Sequence, residues 1–562
     1  MGDMFRTMTA ALCVITGVWF FIQLSCAPAV YVPPPPEPPE EPTIRVGLLQ
    51  DVDEVLFSSS TGFRVVDEQG KYLFSSGSSG RQWSVRVKFG QPASMIYRLI
   101  LHKEKEMESA LRRAEELKDL GLQPKIVETG MELRIGNRLL NNNREYWVTI
   151  GPYTTEEEAS LKAQTLPWGT MHVVIPDILS PPLGVLDLVD PNGQVVLSRG
   201  TPLVLESRDP SEGTFTLHGV TVGRGFSWER KEDRSYRPRM EFRIGNDGRI
   251  LAVNELGLES YLKGLLPKEM NPGFPPAALR AQAIAARSYS IAKLGIQHRL
   301  ELFDLCAEVH CQAYGGAGME HPATNRAVDE TRGQVLLYQD KVCEAFYSAV
   351  CGGHSENSSN VWGGPSIPYL QARPDAPPEV AVEFPGPLET EAAVREWVSS
   401  TPGVFCNHLS EEAPTALHYT RRHFRWNFTY SRHELEQILT QKTEKDIGTL
   451  LDIIPLTRGP SGRLIKIRIV GDAGTMEVER ELRIRGVLSP SHLPSACFTV
   501  DKEMGYDGLP AAFIFRGAGW GHGVGMCQAG AAGMALQGRD YRMILSHYYQ
   551  GAQVCQIYGA VF

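Results

Sequence analysis

Five stretches of this sequence carry side chains able to do chemistry. In Leu265-Leu266-Pro267-Lys268-Glu269-Met270-Asn271-Pro272 one carboxylate stands among apolar residues and two prolines. Such a setting desolvates Glu269, which raises a carboxyl pKa and suits a general acid; a solvated surface glutamate has the same local sequence. His298, Cys306, His310 and Cys311 offer two imidazoles and two thiols. Four such ligands close a tetrahedral zinc site, provided the backbone turns sharply between the adjacent His310 and Cys311. A Cys306–Cys311 disulfide is the other use of the same residues. Ala345-Phe346-Tyr347-Ser348-Ala349-Val350-Cys351 runs as a strand into Gly352-Gly353-His354-Ser355-Glu356. A glycine pair permits close approach of a ligand or simply a tight turn, and Tyr347, Gly353 and Glu356 are its candidate binding residues. Trp362 extends this stretch with an aromatic face of the kind that sugar rings stack on. From Gly517 to Ala531 glycines alternate around Trp520 and His522. Glycine at that density costs chain entropy and marks a crowded or ligand-lined backbone, so His522 is either a substrate contact or a satisfied structural histidine.

These groups need elements to hold them. The chain turns helical from Leu258, and a second helix is predicted from Pro276, which suits a first turn, to a stop at Gly295. Its alanines allow close packing, and its polar members Gln282, Arg287 and Tyr289 either face a cleft or pack inside. Strand alternation marks residues 44–88 and 180–255, with turns at Asp190-Pro191-Asn192-Gly193 and Gly245-Asn246-Asp247-Gly248. Strands resume from Val335 to Ala349. Residues 376–415 are rich in Pro, Glu and Ser and read as an insertion or mobile excursion. Between the two strand-rich stretches, residues 91–178 follow the order β-α-β-β-α-β, a ferredoxin-like unit that closes at His172-Val173-Val174-Ile175. Its first helix has apolar residues at Met107, Ala110, Leu111, Ala114 and Leu117, and its second opens at Thr154-Thr155 with an acidic first turn.

The composition is that of a globular chain. Of 562 residues, 42% are hydrophobic and 22% charged, and 56 Lys+Arg against 65 Asp+Glu give a net charge of -9. That balance argues against nucleic acid as a partner and against a polytopic membrane protein. Arg6 and the apolar run Thr7–Ser25 read as an export signal. Leu24-Ser25-Cys26 resembles the lipobox of bacterial lipoproteins, which implies lipidation of Cys26 and a membrane-anchored protein of the cell envelope. Residues 27–43 contain PPPPEPPEEP, a stiff polyproline spacer. Of the ten cysteines, eight lie between Cys306 and Cys555, and their pairing cannot be read from sequence.

Two family resemblances follow from these residues. In 91–178, the helix with Ala114-Glu115-Glu116-Leu117 and the run Trp147-Val148-Thr149-Ile150-Gly151-Pro152-Tyr153 resemble a SPOR domain. That resemblance implies binding to peptidoglycan strands stripped of their peptides. Pro267-Lys268-Glu269-Met270, Ala281-Gln282-Ala283-Ile284-Ala285-Ala286-Arg287-Ser288-Tyr289, Asp304-Leu305-Cys306 with His310-Cys311-Gln312-Ala313-Tyr314-Gly315-Gly316, Gly352-Gly353-His354-Ser355-Glu356 and Gly519-Trp520-Gly521-His522-Gly523-Val524-Gly525-Met526 occur in this order. Together they resemble the SpoIID/LytB family, the stage II sporulation protein D and amidase-enhancer group. The expected fold is α+β and multi-domain. A SpoIID-type catalytic body spans 44–90 and 179–562, with an insertion near 376–415, and the ferredoxin-like SPOR-like unit is inserted at 91–178.

The family resemblance implies a lytic transglycosylase that cuts peptide-free glycan strands to 1,6-anhydro ends. Glu269 matches its acid/base, and Gln282, Arg287, Tyr289, Tyr347, Gly353, Glu356, Trp520 and His522 are the substrate-binding candidates. A structural zinc on Cys306, His310, Cys311 and His298 is implied, with no cofactor needed for the chemical step. Cys527 stands where serine is common in the family, and Ser288 where threonine is. The alternative is a non-catalytic glycan-binding protein that enhances an N-acetylmuramoyl-L-alanine amidase.

Overall fold

The computed structural model of the protein describes residues 41–77, 79–135, 137–166, 173–223, 229–381 and 386–559. The export segment, Cys26 and the proline-rich stretch through residue 40 lie outside the described residues, as does His172.

The front of the body is two facing sheets. One has seven strands in the order Leu305–Cys306, Thr43–Val52, Ile250–Gly257, Arg239–Ile244, Leu203–Ser207, Phe63–Val66 and Tyr72–Ser76. The other has six, in the order Val195–Gly200, Leu183–Val189, Trp83–Gln91, Glu54–Ser59, Phe215–Val222 and Arg230–Tyr236. Residues 44–90 and 179–257 therefore interleave within both sheets. Alternating apolar residues supply the shared core: Phe57, Phe63, Phe215 and Phe242 are fully buried. Phe63 meets Trp83 edge-on at 5.0 Å and Phe57 at 5.4 Å, a preferred aromatic geometry.

Between these halves the chain leaves the body to make its own four-stranded sheet. Its order is Val173–Ser180, Ser94–Glu104, Glu145–Tyr153 and Pro124–Thr129, all antiparallel, with helices Met107–Asp119 and Glu156–Gln164 packed on it. The elements follow the β-α-β-β-α-β order read from the sequence, with a small hairpin, Glu132–Ile135 and Arg138–Asn142, added in the middle. Thr155 caps the second helix by accepting the Glu158 N–H. Separate small cores lie under the two helices, one around Leu99, Ile150 and Ala159, the other around Ala114, Leu117 and Val148.

Helices Leu258–Glu269 and Pro276–Lys293 follow the first sheet and form the base of the site. Pro276–Lys293 is buried on almost all sides, with Ala278, Ala281, Ala283, Ala285 and Ala286 at zero exposure. Their small side chains admit helices Gln528–Leu536, Pro322–Glu330 and Tyr541–Tyr548 close against it. A further layer of two three-stranded sheets, Trp426–Ser431 with Pro510–Gly517 and Phe498–Met504, and Leu450–Arg458 with Leu464–Gly471 and Thr475–Glu479, has a separate core. The mixture of helices and several sheets is that of the α+β, multi-domain class expected from the sequence.

Residues 376–415 are not a loose excursion where they are described. Helix Glu391–Ser399 buries Val394 and Trp397 in the main core, with Leu388 and Cys406 fully enclosed. The polar composition of this stretch hides a minority of apolar residues, among them Leu388, Val394, Trp397, Val404 and Phe405, which decide the packing. Among the described residues no helix is long and apolar enough to cross a membrane.

Candidate active site

Helix Leu258–Glu269 ends at Glu269 because Met270 turns extended, with φ -137° and ψ 132°. The helix end delivers the carboxyl to the floor of a cleft of about 780 Å³, lined also by Tyr289, Gln312, Ala313, Phe346, Tyr347, Trp362 and His522. Glu269 Oε1 accepts the Ala313 N–H at 2.6 Å, and its backbone carbonyl accepts Gln528 Nε2 at 2.9 Å. The Tyr347 hydroxyl bonds the same carboxylate. Burial pushes the Glu269 pKa up to about 7, against the opposing pull of Ala313 N–H and Tyr347. No cation pairs with it among the described residues.

A relay of hydrogen bonds sets Tyr347. Ser290 Oγ donates to Gln312 Oε1 at 2.8 Å, and Gln312 Nε2 donates to the Tyr347 hydroxyl at 2.8 Å. This leaves the Tyr347 proton for Glu269. Burial holds the Tyr347 and Tyr289 hydroxyls protonated, above their ordinary range. The cleft wall is aromatic: Phe346 stacks on Trp362 at 4.3 Å and 30°, and Trp362 meets His522 at 5.0 Å. His522 Nδ1 accepts the Val524 N–H at 3.0 Å, so its proton sits on Nε2, and burial pushes its pKa down to about 3. It is neutral at working pH. Gly525, at φ +70°, keeps this loop tight, since a Cβ there would fall 2.0 Å from the Phe346 carbonyl oxygen.

A second carboxylate lines the cleft. Glu344 is bound to Lys293 Nζ at 2.6 Å, and that ammonium also lies over the Phe346 ring at 5.2 Å. The cleft thus holds one unpaired acid and one neutralised one.

The Cys/His cluster forms the neighbouring wall. His298, Cys306, His310 and Cys311 place one ligand atom each within 4.8 Å of all the others. His298 Nε2 is 3.2 Å from Cys311 Sγ, and His310 Nδ1 is 3.8 Å from Cys306 Sγ and 3.9 Å from Cys311 Sγ. The required sharp turn is present, closed by the Cys311 N–H to the Glu308 carbonyl at 3.0 Å. Cys306 and Cys311 are free thiols, so the disulfide alternative is not what the structure contains. The donor set, two sulfurs and two imidazoles, fits a zinc-class ion, for which metal bonds of about 2.0–2.3 Å give ligand separations of about 3.3–3.8 Å.

Several sequence candidates are not in the cleft. Arg287 is fully buried and clasps Glu259, Nε to Oε1 at 2.9 Å and Nη2 to Oε2 at 2.6 Å. A buried arginine needs such a partner, which removes it from substrate binding. Gln282 is enclosed and takes Gln528 Nε2 on its Oε1 at 3.3 Å, one step behind Glu269. Gly353, at φ +105°, makes room for Trp397, whose Cζ2 would lie 2.6 Å from a Cβ. Glu356 is consumed by Ser461 Oγ at 2.6 Å, Asn360 Nδ2 at 2.9 Å and the Asn357 N–H at 2.8 Å. Trp520 stacks on His423 at 4.0 Å, outside the cleft lining. The sequence reading missed Lys293 and Glu344, and no local pattern marks them. The described residues of 376–415 do not contribute to the cleft lining.

A family profile described as "Stage II sporulation protein" (SpoIID) matches residues 246–338, which carry Glu269 and the Cys/His cluster. A "Domain of unknown function (DUF8618)" matches 356–525. An uncharacterized protein of Brachyspira hyodysenteriae is 32% identical over 353 residues, covering 63% of this chain and 76% of its own. The "Stage II sporulation protein D" of Bacillus amyloliquefaciens is 24% identical over 62% of this chain and 87% of its own. The "Amidase enhancer" of Bacillus subtilis is 28% identical over 52% of this chain, which spans only 39% of that protein.

Proposed function

The chain belongs to the SpoIID/LytB family, and on that premise we propose that it is a peptidoglycan lytic transglycosylase acting on glycan strands without stem peptides. The observation that carries the proposal is a cleft with a single unpaired carboxyl whose pKa lies at about 7. Glycoside hydrolysis ordinarily uses two working carboxyls, and here the second, Glu344, is tied to Lys293.

One carboxyl suffices when the sugar supplies its own nucleophile. Glu269 gives its proton to the glycosidic oxygen as the bond from the muramoyl anomeric carbon breaks. As carboxylate it then takes the proton of the same muramoyl residue's C6 hydroxyl, whose oxygen closes on the anomeric carbon. The product is a 1,6-anhydro end and a free hydroxyl on the leaving sugar, and Glu269 is again protonated. A pKa near neutrality serves both halves. The Ala313 N–H and Tyr347 hydroxyl steady the carboxylate between the two steps. Trp362, backed by Phe346 and exposed on its other side, offers a flat face for a sugar ring.

A zinc ion on Cys306, His310, Cys311 and His298 would fix the loop that supplies the Ala313 N–H, a structural role. The sheet unit at 91–178 would bind bare glycan, raising local substrate concentration, and lipidation at Cys26 would hold the exported protein at an envelope membrane. A second reading is favoured by the similarity to an amidase enhancer: the cleft binds glycan to recruit an N-acetylmuramoyl-L-alanine amidase.

The test is incubation of the protein with purified peptide-free glycan, with products examined by mass spectrometry beside Glu269→Gln. Anhydro-ended fragments from wild type alone are expected. Strands that stay intact while co-sedimenting with folded wild-type protein would favour the enhancer.

A further inference from the structure

A second set of metal-type ligands lies away from the cleft. Cys351, Asp375, Cys406 and Cys527 place one ligand atom each within 4.8 Å of one another, and all four residues are at most 3% exposed. They come from four separate places in the chain. Cys351 follows the strand Tyr347–Ser348, Cys527 ends the parallel partner strand Met526–Cys527, Asp375 sits in the loop after Arg373, and Cys406 belongs to the 376–415 stretch. We propose that this cluster is a buried structural site for a zinc-class divalent ion, with Cys351, Cys406, Cys527 and Asp375 as its ligands.

The geometry is that of a ligand shell. Cys351 Sγ lies 3.6 Å from Cys406 Sγ and 3.0 Å from Asp375 Oδ2. A tetrahedron with metal–sulfur bonds of about 2.3 Å has edges of about 3.8 Å, whereas a disulfide brings sulfurs to about 2.05 Å. All three cysteines are free thiols. The surroundings suit sulfur anions. The Cys351 N–H points at Cys527 Sγ at 3.1 Å, the Gly530 N–H at Cys527 Sγ at 3.3 Å and the Gly353 N–H at Cys351 Sγ at 3.3 Å. Cys527 also caps helix Gln528–Leu536, a position that favours a thiolate.

Asp375 is oriented as a metal-binding carboxylate would be. The Tyr548 hydroxyl donates to Oδ1 at 2.7 Å and His547 Nε2 approaches it at 3.5 Å, which leaves Oδ2 turned to the sulfurs. Outer partners of this kind fix a ligand's orientation. A disulfide between any two of the cysteines would leave the third sulfur enclosed beside a buried carboxylate, with no ion to offset them. A divalent ion offsets both, and three thiolates with one carboxylate match a soft cation better than a hard one. Bound there, the ion ties the 376–415 stretch to the two short strands that carry Tyr347 and Met526, and so braces the back of the cleft.

The experiment measures metal per chain by mass spectrometry of the full protein, in wild type, in Cys306→Ser/Cys311→Ser and in Cys406→Ser. The double variant isolates the inner cluster: one zinc per chain supports the proposal and none overturns it. Cys406→Ser should bind one ion fewer than wild type, and an unchanged count overturns the proposal. If neither variant folds, wild type decides through its cysteines, alkylated after denaturation with chelator and without reductant. Cys351, Cys406 and Cys527 all recovered as free thiols alongside two zinc ions per chain support the site; a disulfide joining any two of them, or fewer than two zinc ions, overturns it.

Discussion

Glu259 and Glu269 stand at opposite ends of one helix, Leu258–Glu269, and the fold uses them in opposite ways. Glu259 lies in the first turn, where the helix dipole favours an anion. Arg287 clasps both its oxygens, the Tyr558 hydroxyl donates to it, and the Gly333 N–H adds a bond at 3.3 Å. Although burial pushes its pKa up, Arg287 and these donors hold it below the ordinary carboxylate value. Glu269 lies at the other end, where the dipole disfavours charge, and its partners are one N–H and one hydroxyl. Burial wins there, and the pKa rises to about 7. Burial alone does not make an acid catalyst; burial without a cation does.

The comparison breaks most visibly in activity. Glu269→Gln is expected to lower cleavage of peptide-free glycan by about 10²–10⁴-fold, the usual weight of a general acid, while circular dichroism stays native. The mirror experiment is Arg287→Met, expected to destabilise the fold by about 3–5 kcal/mol in denaturant titration because Glu259 is left buried and unpaired. If Arg287→Met instead keeps wild-type stability and loses only glycan binding, the division of roles between the two ends of the helix is wrong.

A subtler difference appears in stability against pH. Glu269 has a folded pKa of about 7 and an unfolded value near 4.5, so the folded state holds the proton more tightly. Its stabilising contribution is complete below about pH 4.5 and is lost as pH rises through 7. At pH 8 the ionised, buried carboxylate costs about 3 kcal/mol, so Glu269→Gln should be more stable than wild type by about that amount, and no different at pH 4. Glu259 has the opposite sign: its contribution is present above the ordinary carboxylate range and lost as pH falls through its depressed folded pKa. Tyr347→Phe removes a donor to Glu269, so the alkaline limb of the pH–rate profile should move upward. The smallest effect is expected from Trp362→Ala, a several-fold rise in KM for glycan with little change in kcat.

Much of this site was legible in the sequence, within limits set by the partners. His298, Cys306, His310 and Cys311 are legible because their ligand chemistry is local, whereas Glu269 is legible only through the family motif Pro267-Lys268-Glu269-Met270, since its apolar neighbours also suit a solvated surface glutamate. Arg287 and Glu356 looked equally suitable as binding residues. Their actual partners, Glu259 and Ser461, lie 28 and 105 residues away in the chain, and no local pattern records such pairings. The Gly352-Gly353 pair reads as a ligand approach or a tight turn, and the glycines after Gly517 as a crowded or ligand-lined backbone. The structure places Gly353 and Gly525 in crowding, against Trp397 and the Phe346 carbonyl. The inner cluster of Cys351, Asp375, Cys406 and Cys527 had no spacing signature at all, because four separate segments bring it together.

Glu269 keeps a protonated fraction near neutral pH because, among the described residues, no cation is paired with it. Difference infrared titration of wild type against Glu269→Gln isolates the one carboxylic-acid band that the variant lacks. That band is expected to fade with a midpoint near pH 7. A midpoint near the ordinary carboxylate value of about 4.5 would contradict the account, since Glu269 would then be ionised in the resting protein and unable to begin the reaction as its acid.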